Sequence, residues 1–402
     1  MRNSAFECYE TICHNLYKTL SKNKKTVIQY LIEYETLKMA EDEFSRSINL
    51  LLNINSQKKY LYKRFSGKLS AFLPLNQPLY SLLLQVVIPS LVLEKVYYRP
   101  PAAQSNLHSL LYNVISPTCD NIYICNVSRN KFLCDYVRQS NIINFTGKYE
   151  NAIELTKVIP NNIAIIYNGS AINPIVVSTN TSTKLNKIVD DVVLTRMYNS
   201  GQDCMAPACV FVEKNIVPDF IEILKKKITN LPVGENAKKE TVVGPMIEKS
   251  SLIEYKSFRE KCFDHILIDG HIDEKKQLIH PAVFYFDKVN LEIQNIYYAP
   301  YLILMAFDTL KDIQSYLHTP YCEKHAGYIS IYGKDIYHEN WCSGKNKLIP
   351  LYEKTLLHTE DGNNEFGGYG LGCSFVSNQG EIKSHPILLS REIHNIMSKK
   401  EK

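Results

Sequence analysis

Apolar residues along the chain follow two successive spacings. Over residues 1–55 they recur every three or four positions, as at Ile28, Leu31 and Ile32, which predicts amphipathic helices that cover a sheet. From Gly67 onward, short apolar runs predict buried strands at 121–125, 142–147, 163–167, 208–213 and 301–307. Between them, helical spacing predicts helices over 184–198, 217–229 and 252–262. The pattern therefore favours an α/β fold.

Length and charge narrow the class of protein. With 402 residues the chain exceeds one typical domain, so we expect two lobes around a shared cleft. The net charge of +5 is small and its cations are scattered, which gives a nucleic-acid partner little support. The most apolar segment, 80–93, is too short to span a bilayer and contains Pro89, so it predicts a buried helix and no membrane segment.

The cysteines and the start of the chain indicate a compartment. Eleven cysteines are spread without Cys-x-x-Cys pairs or histidine clusters, which argues against a metal site or a disulfide framework. A reducing environment is then the expectation. The chain opens without a charged-then-apolar leader. We therefore expect a cytoplasmic protein.

One polar turn, residues 199–207, presents a single cysteine between two packed elements. The predicted helix before it ends at Gly201, since glycine accepts positive φ without strain, and a predicted strand begins at Ala208. Such a loop would hold Cys204 rigidly enough to act as a nucleophile. A lone loop cysteine is, however, more often a packing residue.

The residues around this turn resemble the nucleophile segment of the aldehyde dehydrogenase superfamily, whose core is Gly-Gln-x-Cys. Three other segments follow that family's order: Pro74-x-Asn76-x-Pro78, 244–247 and the Phe366-Gly-Gly loop. The resemblance implies two Rossmann-like three-layer α/β/α lobes with a cleft between them. It divides the chain into a shortened cofactor lobe (1–167), a catalytic lobe (168–375) and a segment that returns to the first lobe or to an oligomer contact (376–402). A homodimer is the assembly it allows.

The resemblance also implies a reaction. The Cys204 thiolate would attack an aldehyde, and the Asn76 amide would stabilise the developing oxyanion. Hydride transfer to NAD(P) would leave a thioester on the cysteine. Asn168 stands where the family has the glutamate that activates the hydrolytic water, and an amide cannot accept that proton. Transfer of the acyl group to a thiol, or reduction of an acyl thioester in reverse, is then as plausible as hydrolysis. A catalytic Cys204 should have a depressed pKa and be alkylated first.

The adenine end of the expected nucleotide site departs from the family pattern. Arg99 takes the place of a lysine that contacts the ribose, and residues 102–104 lack the acid that binds ribose hydroxyls. A fork-shaped cation without a nearby acid suits NADP better than NAD.

The remaining nucleotide contacts are only partly kept. Phe145, Thr146 and Gly147 match the family's Phe-Thr-Gly, which opens a helix facing the pyrophosphate, while Lys148 replaces a serine. Tyr298 keeps the aromatic residue of the second cofactor motif, but Ile296 replaces its ribose-binding glutamate.

Two alternatives follow from these departures. A nucleotide-independent cysteine acyltransferase would keep the nucleophile and need none of the lost contacts. A non-catalytic relative would keep only the fold, since function depends on the site and not on the architecture.

Overall fold

The computed structural model describes residues 2–181, 183–339, 341 and 347–401, with side chains described from Tyr9 onward. Its helices are α1 (Arg2–Lys22), α2 (Lys24–Leu31), α3 (Leu37–Leu52), α4 (Lys58–Leu61), α5 (Pro78–Leu82), α6 (Ile88–Ser90), α7 (Ser105–Ile115), α8 (Arg129–Asp135), α9 (Tyr149–Val158), α10 (Leu185–Met197), α11 (Val217–Thr229), α12 (Lys249–Lys261), α13 (Leu310–Leu317), α14 (Pro320–Lys324) and α15 (Leu389–Lys400).

The strands are β1 (Phe65–Phe72), β2 (Leu93–Arg99), β3 (Ile122–Ile124), β4 (Ile142–Thr146), β5 (Ala164–Asn168), β6 (Ile175–Val177), β7 (Val210–Glu213), β8 (Ile266–Ile268), β9 (Ile272–Asp273), β10 (Leu278–Ile279), β11 (Ala282–Phe286), β12 (Tyr301–Phe307), β13 (Tyr328–Tyr332), β14 (Ile349–Tyr352), β15 (Ser374–Asn378) and β16 (Glu381–Lys383).

Two seven-stranded sheets divide the molecule into two lobes. The first sheet has the order β16-β15-β5-β4-β1-β2-β3, and the second has the order β14-β13-β6-β7-β12-β11-β8. Neighbouring strands β1 to β5 pair in parallel, whereas β15 and β16 are antiparallel additions at one edge. In the second sheet only β8 pairs antiparallel. The predicted α/β fold with two Rossmann-like lobes is confirmed.

Each sheet is covered on both faces, which explains why the strands are continuous apolar runs. On β4, Ile142 packs into one core and Ile143 into the core on the opposite face. On β6, Val176 points to one face while Ile175 and Val177 point to the other. Successive side chains of a strand alternate between faces, so a sheet buried on both sides needs apolar residues at every position.

The chain crosses between the lobes twice, and both crossings border the cleft. It leaves the first sheet after Asn168 at the end of β5 and enters the second at Ile175. It returns at β15, which pairs with β5, and α15 then packs Ile393 and Ile396 into the first lobe's core. The C-terminal segment thus lies on the first lobe, and the predicted boundary at residues 375 and 376 falls inside β15.

Most of the apolar segment 80–93 lies in a buried helical stretch made of α5, a π-helical turn over Leu83–Val87, and α6, which ends at Ser90. Leu93, at the end of the segment, already belongs to β2. Among the described residues, no helix combines the length and apolarity needed to cross a membrane.

Candidate active site

A cleft of about 520 Å³ lies between the lobes and contains most of the residues singled out in the sequence. Cys204, Asn76, Asn168, Arg99, Phe145, Thr146, Gly147, Lys148 and Tyr298 all line it. These residues come from six separate stretches of sequence. The fold therefore brings the predicted catalytic and nucleotide-binding residues to one continuous surface.

The backbone before Cys204 is held in an unusual conformation. After α10, Asn199, Ser200 and Gly201 have φ values of 48°, 57° and 73°, all in the left-handed region. The Ser200 hydroxyl accepts a hydrogen bond of 2.8 Å from the Gly244 N–H. A Cβ atom on Gly201 would lie 2.5 Å from the Ala299 carbonyl oxygen, so the loop fits there only with glycine. Left-handed residues of this kind persist where the surroundings hold them, as they do around functional loops.

Arg196 is the buried residue that ties this loop together. Its guanidinium donates to the carbonyl oxygens of Gly201 at 3.0 Å, Ala299 at 2.5 Å, Tyr297 at 3.3 Å and Pro207 at 3.3 Å. The charge also lies 4.3 Å from the centre of the Tyr297 ring. Sequence reasoning missed Arg196. The available signal was its position four residues after Val192, on the apolar stripe of a helix, where a charged residue needs buried partners.

Cys204 faces the cleft and is partly exposed. Its carbonyl oxygen accepts a 2.9 Å hydrogen bond from the Asn173 amide, whose own oxygen accepts from the Tyr328 N–H at 3.2 Å. Burial, followed by the charges of Asp203 and Glu360, raises the pKa of the Cys204 thiol well above its ordinary value. The expectation of a depressed pKa is therefore wrong, because the sequence did not show that the thiol is buried or that the distant Glu360 acts on it.

The raised pKa of Cys204 reverses the expected order of cysteine labelling. At neutral pH the exposed Cys134 should react with iodoacetamide before Cys204, because the thiolate is the reactive form. Labelling of Cys204 should accelerate by about tenfold per pH unit while the pH stays below the raised pKa. Peptide mass spectrometry across a pH series measures both rates.

The variant Asp203→Asn tests the cause. Removing the Asp203 charge should lower the pKa of Cys204 and speed its labelling, whereas Asp264→Asn, an exposed aspartate on another element, should change nothing. A Cys204 labelling rate that is already independent of pH near neutrality would contradict the raised pKa.

Asn76 lies in the cleft, but its amide already has a partner. Its Nδ2 is 3.4 Å from Oδ2 of Asp203, and Gln77 donates to the same oxygen at 2.6 Å. The other Asp203 oxygen accepts from the Met205 N–H at 2.9 Å. The Asp203 contact of Asn76 is long, so the amide can turn toward a substrate oxygen at small cost. Its oxyanion role stays a prediction, and Asp203 was not foreseen.

Asn168 ends β5 at the edge of the cleft. Its carbonyl oxygen accepts from the Gly147 N–H at 3.2 Å, which joins the two strand ends that face the opening. Its side chain lines the same cleft as Cys204. Its place in the reaction stays a prediction, and the amide itself cannot take a proton.

The nucleotide end of the cleft combines a strand end, a helix start and cations. Thr146 donates to Gln85 at 3.1 Å, and the Tyr167 hydroxyl donates to the Gly147 carbonyl at 3.0 Å. Exposed Lys148 immediately precedes α9. These contacts fix the turn from β4 into the helix, so the first N–H groups of α9 are held beside the opening.

Arg99 uses only part of its donor capacity within the protein. Its Nε donates to the Val127 carbonyl at 3.0 Å. Burial and the neighbouring Arg129 lower the pKa of Arg99, and Arg129 also lines the cleft. Two guanidinium groups are therefore close together at this end, an arrangement that favours a bound anion.

Tyr298 lines the cleft that contains Cys204. Its hydroxyl forms a short hydrogen bond with Ser170, and burial raises its pKa, with smaller contributions from Cys204 and Asp203. Ile296 contributes its N–H to the Tyr321 hydroxyl at 3.0 Å. Tyr298 thus lines the same cleft as Cys204, and its contact with a cofactor stays a prediction.

Glu360 is a second residue that sequence reasoning missed. Its side chain is 8 % exposed and lines the cleft. Oε1 accepts from the Tyr80 hydroxyl at 2.7 Å, and Oε2 pairs with Arg46 at 2.7 Å. Arg46 also pairs with Asp42 at 2.8 Å. No local signal marks Glu360, because Arg46 lies 314 positions away in the sequence.

Metal and disulfide chemistry find no support in the described residues. The nine described cysteines are free, and in the same ranges no group of three or more His, Cys, Asp or Glu residues could hold a metal ion.

The fold and the site together indicate an enzyme of the aldehyde dehydrogenase class, since two Rossmann-like lobes enclose a cleft that contains a cysteine. A model of the aldehyde dehydrogenase family matches residues 1–326, so the chain belongs to this family of NAD(P)-dependent oxidoreductases that act on aldehydes. The predicted family membership is confirmed.

Similar proteins support the assignment. The chain is 22 % identical over 338 residues to the 4,4'-diaponeurosporen-aldehyde dehydrogenase of Staphylococcus aureus, covering 79 % of this chain and 71 % of that one. It is 29 % identical over 164 residues to the lactaldehyde dehydrogenase of Methanocaldococcus jannaschii, which covers 40 % of this chain but only 34 % of that enzyme.

Solved structures share the fold at low identity. The glyceraldehyde-3-phosphate dehydrogenase GapN of M. jannaschii, complexed with NADP, has a TM-score of 0.79 at 19 % identity, covering 96 % of this chain and 91 % of its own. The betaine aldehyde dehydrogenase of S. aureus, in complex with NAD+, has a TM-score of 0.79 at 15 % identity, covering 96 % and 83 %.

Proposed function

We propose that this protein oxidises an aldehyde through a thioester on Cys204, with NADP or NAD as the hydride acceptor. The observation that carries the proposal is the single cleft, which joins Cys204 to a cationic end formed by Arg99, Arg129 and the start of α9. The same arrangement would serve the reverse reaction, the reduction of an acyl thioester to an aldehyde.

The residues at the cationic end fit a phosphorylated nucleotide. Lys148 and the first N–H groups of α9 would bind the pyrophosphate, and Phe145, Thr146 and Gly147 would form the floor beneath it. When bound, the nicotinamide nucleotide supplies an acceptor for the aldehyde hydride. The first lobe would thus hold the nucleotide, while the second lobe presents the cysteine.

The chain's own residues would carry the attack. The Cys204 sulfur forms a bond to the aldehyde carbon, and the negative charge that develops on the carbonyl oxygen needs fixed hydrogen-bond donors. The Asn76 amide and the Cys204 N–H are the candidates. Preorganised donors of this kind contribute a few kcal/mol, about 3–4 per donor in the best-studied site. Arg196 would serve by fixing the loop that presents the sulfur.

The acceptor that takes the acyl group from Cys204 is either water or a thiol. Asn168 cannot itself activate water, so the thioester is released either to a thiol, which is partly ionised near neutral pH and needs less help from a base, or to water activated by another residue. Small-molecule aldehydes or acyl thioesters are the proposed substrates, and a homodimer remains the proposed assembly.

Two rival classes make different predictions. A nucleotide-independent acyltransferase would form the thioester without binding NADP or NAD, and a non-catalytic relative would do neither. The open, cationic end of the cleft supports nucleotide binding over both rivals, because neither rival function requires Arg99 and Lys148 at an opening.

Calorimetric titration with each nucleotide tests the proposal. NADP should bind more tightly than NAD, because the Arg99 guanidinium can pair with the 2′-phosphate and the adjacent segment offers no acid to repel it. Arg99→Gln should remove most of that preference, about 10-fold or more, from the strength of a charge-assisted hydrogen bond.

The matched control is Arg138→Gln, an exposed arginine of the same lobe outside the cleft, which should leave both affinities unchanged. Absence of heat with either nucleotide would count against the oxidoreductase and in favour of the two rival classes.

A further inference from the structure

Of the glutamates that line the cleft, Glu360 is the one whose side chain is largely buried. Glu360 lies on the loop that follows β14, and it lines the cleft together with Cys204 and Asn168. Asn168 cannot accept a proton, so hydrolysis of a Cys204 thioester requires a base from another part of the chain. We propose that Glu360 is this base, and that it activates the water that releases the acyl group from Cys204. This inference rests on the proposed function.

The other acids near the cleft fit the role less well. Glu248 and Glu254 line it too, but both are exposed, and the carboxylates whose charges raise the pKa of Cys204 are Asp203 and Glu360. Asp203 is 2 % exposed, and its two oxygens already accept three hydrogen bonds. Glu360 is thus the acid that lines the cleft together with Cys204, is held by fixed partners and is not already saturated with hydrogen bonds.

The surroundings of Glu360 hold it in place and leave it able to accept a proton. Each oxygen has one partner, Tyr80 or Arg46, and a carboxylate offers about four acceptor positions, so two stay free. The hydrogen bonds fix the side chain between α3 and α5. A base is effective when it is positioned in this way before the reaction begins.

Charges from each packed element set how readily Glu360 takes a proton. Burial raises its pKa above the usual range of a glutamate, and Asp203 on the cysteine loop acts in the same direction. Arg46 of α3 and the Tyr80 hydroxyl of α5 act in the opposite direction, while Asp42 shares Arg46. The balance leaves Glu360 a stronger base than an exposed glutamate.

The proton and the bonds balance without a further reagent. Water gives one proton to Glu360, and its oxygen forms a bond to the thioester carbon. The carbon–sulfur bond breaks, and the sulfur leaves with the electron pair. Glu360 then returns the proton to the Cys204 thiolate, whose raised pKa makes it a ready acceptor. The products are a carboxylic acid and the free thiol.

Hydrolysis of p-nitrophenyl acetate by the full chain separates the steps. The burst of p-nitrophenolate reports acetylation of Cys204, and the steady-state rate reports its deacetylation. Glu360→Gln should keep a burst of one equivalent, lower the steady-state rate about 100-fold, and accumulate acetylated Cys204 in intact-protein mass spectra. The wild-type rate should fall with decreasing pH as Glu360 becomes protonated, at a pH above the usual glutamate range, and this limb should vanish in the variant.

Three further variants distinguish a base from a structural ion pair. Glu360→Asp should restore part of the rate and the acid limb. Arg46→Met should move that limb to higher pH, since it removes the cation that lowers the pKa of Glu360. The control Glu365→Gln changes a glutamate on the same loop as Glu360. It breaks an ion pair with Arg391 of α15 and should match the wild type. Thermal melting of each variant monitors folding.

Several outcomes would overturn the inference. One is a Glu360→Gln variant that keeps the wild-type rate and the acid side of the pH–rate profile. A second is an equal loss of rate in Glu360→Gln and Arg46→Met with no shift of that profile. A third is turnover only when coenzyme A is added as a thiol acceptor. In each case the burst would persist, and aldehyde oxidation through Cys204 would stand. A wild-type protein without a burst would overturn both this inference and the nucleophile beneath it.

Discussion

Replacing Cys204 with alanine is expected to lower aldehyde-dependent NADPH formation about 10⁴-fold or more, the scale seen when an enzyme loses its covalent nucleophile. The reason is chemical, because the thioester that the reaction requires needs a sulfur nucleophile in the cleft, and alanine has none. The same variant should release no burst of p-nitrophenolate from p-nitrophenyl acetate. Steady-state rates with a panel of aldehydes, followed by NADPH absorbance, measure the effect.

The matched control is Cys134→Ser, which changes an exposed cysteine of the first lobe and should leave the rate unchanged. Nucleotide affinity should be the same in both variants, which separates loss of chemistry from loss of binding. If Cys204→Ala kept its activity, the nucleophile would have to be sought elsewhere, and the whole reaction scheme would change.

Replacing Arg196 with methionine should destabilise the protein by about 3–5 kcal/mol. The substitution removes the donors to four backbone carbonyl oxygens, and buried groups that lose their hydrogen-bond partners cost about 1–3 kcal/mol each. Two of those carbonyls, Gly201 and Ala299, belong to the cysteine loop and to the segment that faces it. The loop should therefore lose its fixed conformation, and the nitrophenolate burst should slow.

Arg196→Lys is the informative companion. A lysine keeps the charge but not the planar fork, so it should recover only part of the stability. The matched control is Arg259→Gln, which breaks an exposed ion pair with Asp269 and should cost less than about 1 kcal/mol. Chemical denaturation gives the free energies of unfolding. A loss in Arg196→Met no larger than in this control would show that the four carbonyls find other partners.

Local patterns in the sequence were enough to predict the architecture. Continuous apolar runs identified strands such as β4 and β12, because a sheet buried on both faces needs apolar residues at every position. Amphipathic spacing identified helices such as α11. They did not reveal that β15 joins the first sheet antiparallel to β5, because pairing between strands some 200 positions apart, Ile166 with Val376 for example, leaves no local trace.

The features of the active site also fall into those proposed from the sequence and those revealed only by the structure. The sequence by itself determined which residues to propose, Cys204, Asn76 and Asn168, since short motifs in a fixed order preserve residue types at fixed places, and all three line one cleft. Only the tertiary structure decided how those residues are surrounded. It placed Asp203 against Gln77, 126 positions away, and Glu360 against Arg46, 314 positions away. Burial, followed by the charges of the adjacent Asp203 and the distant Glu360, raises the pKa of Cys204 where the motif alone predicted a depressed value. Desolvation and charge act through space, so they depend on which distant segments the fold brings together.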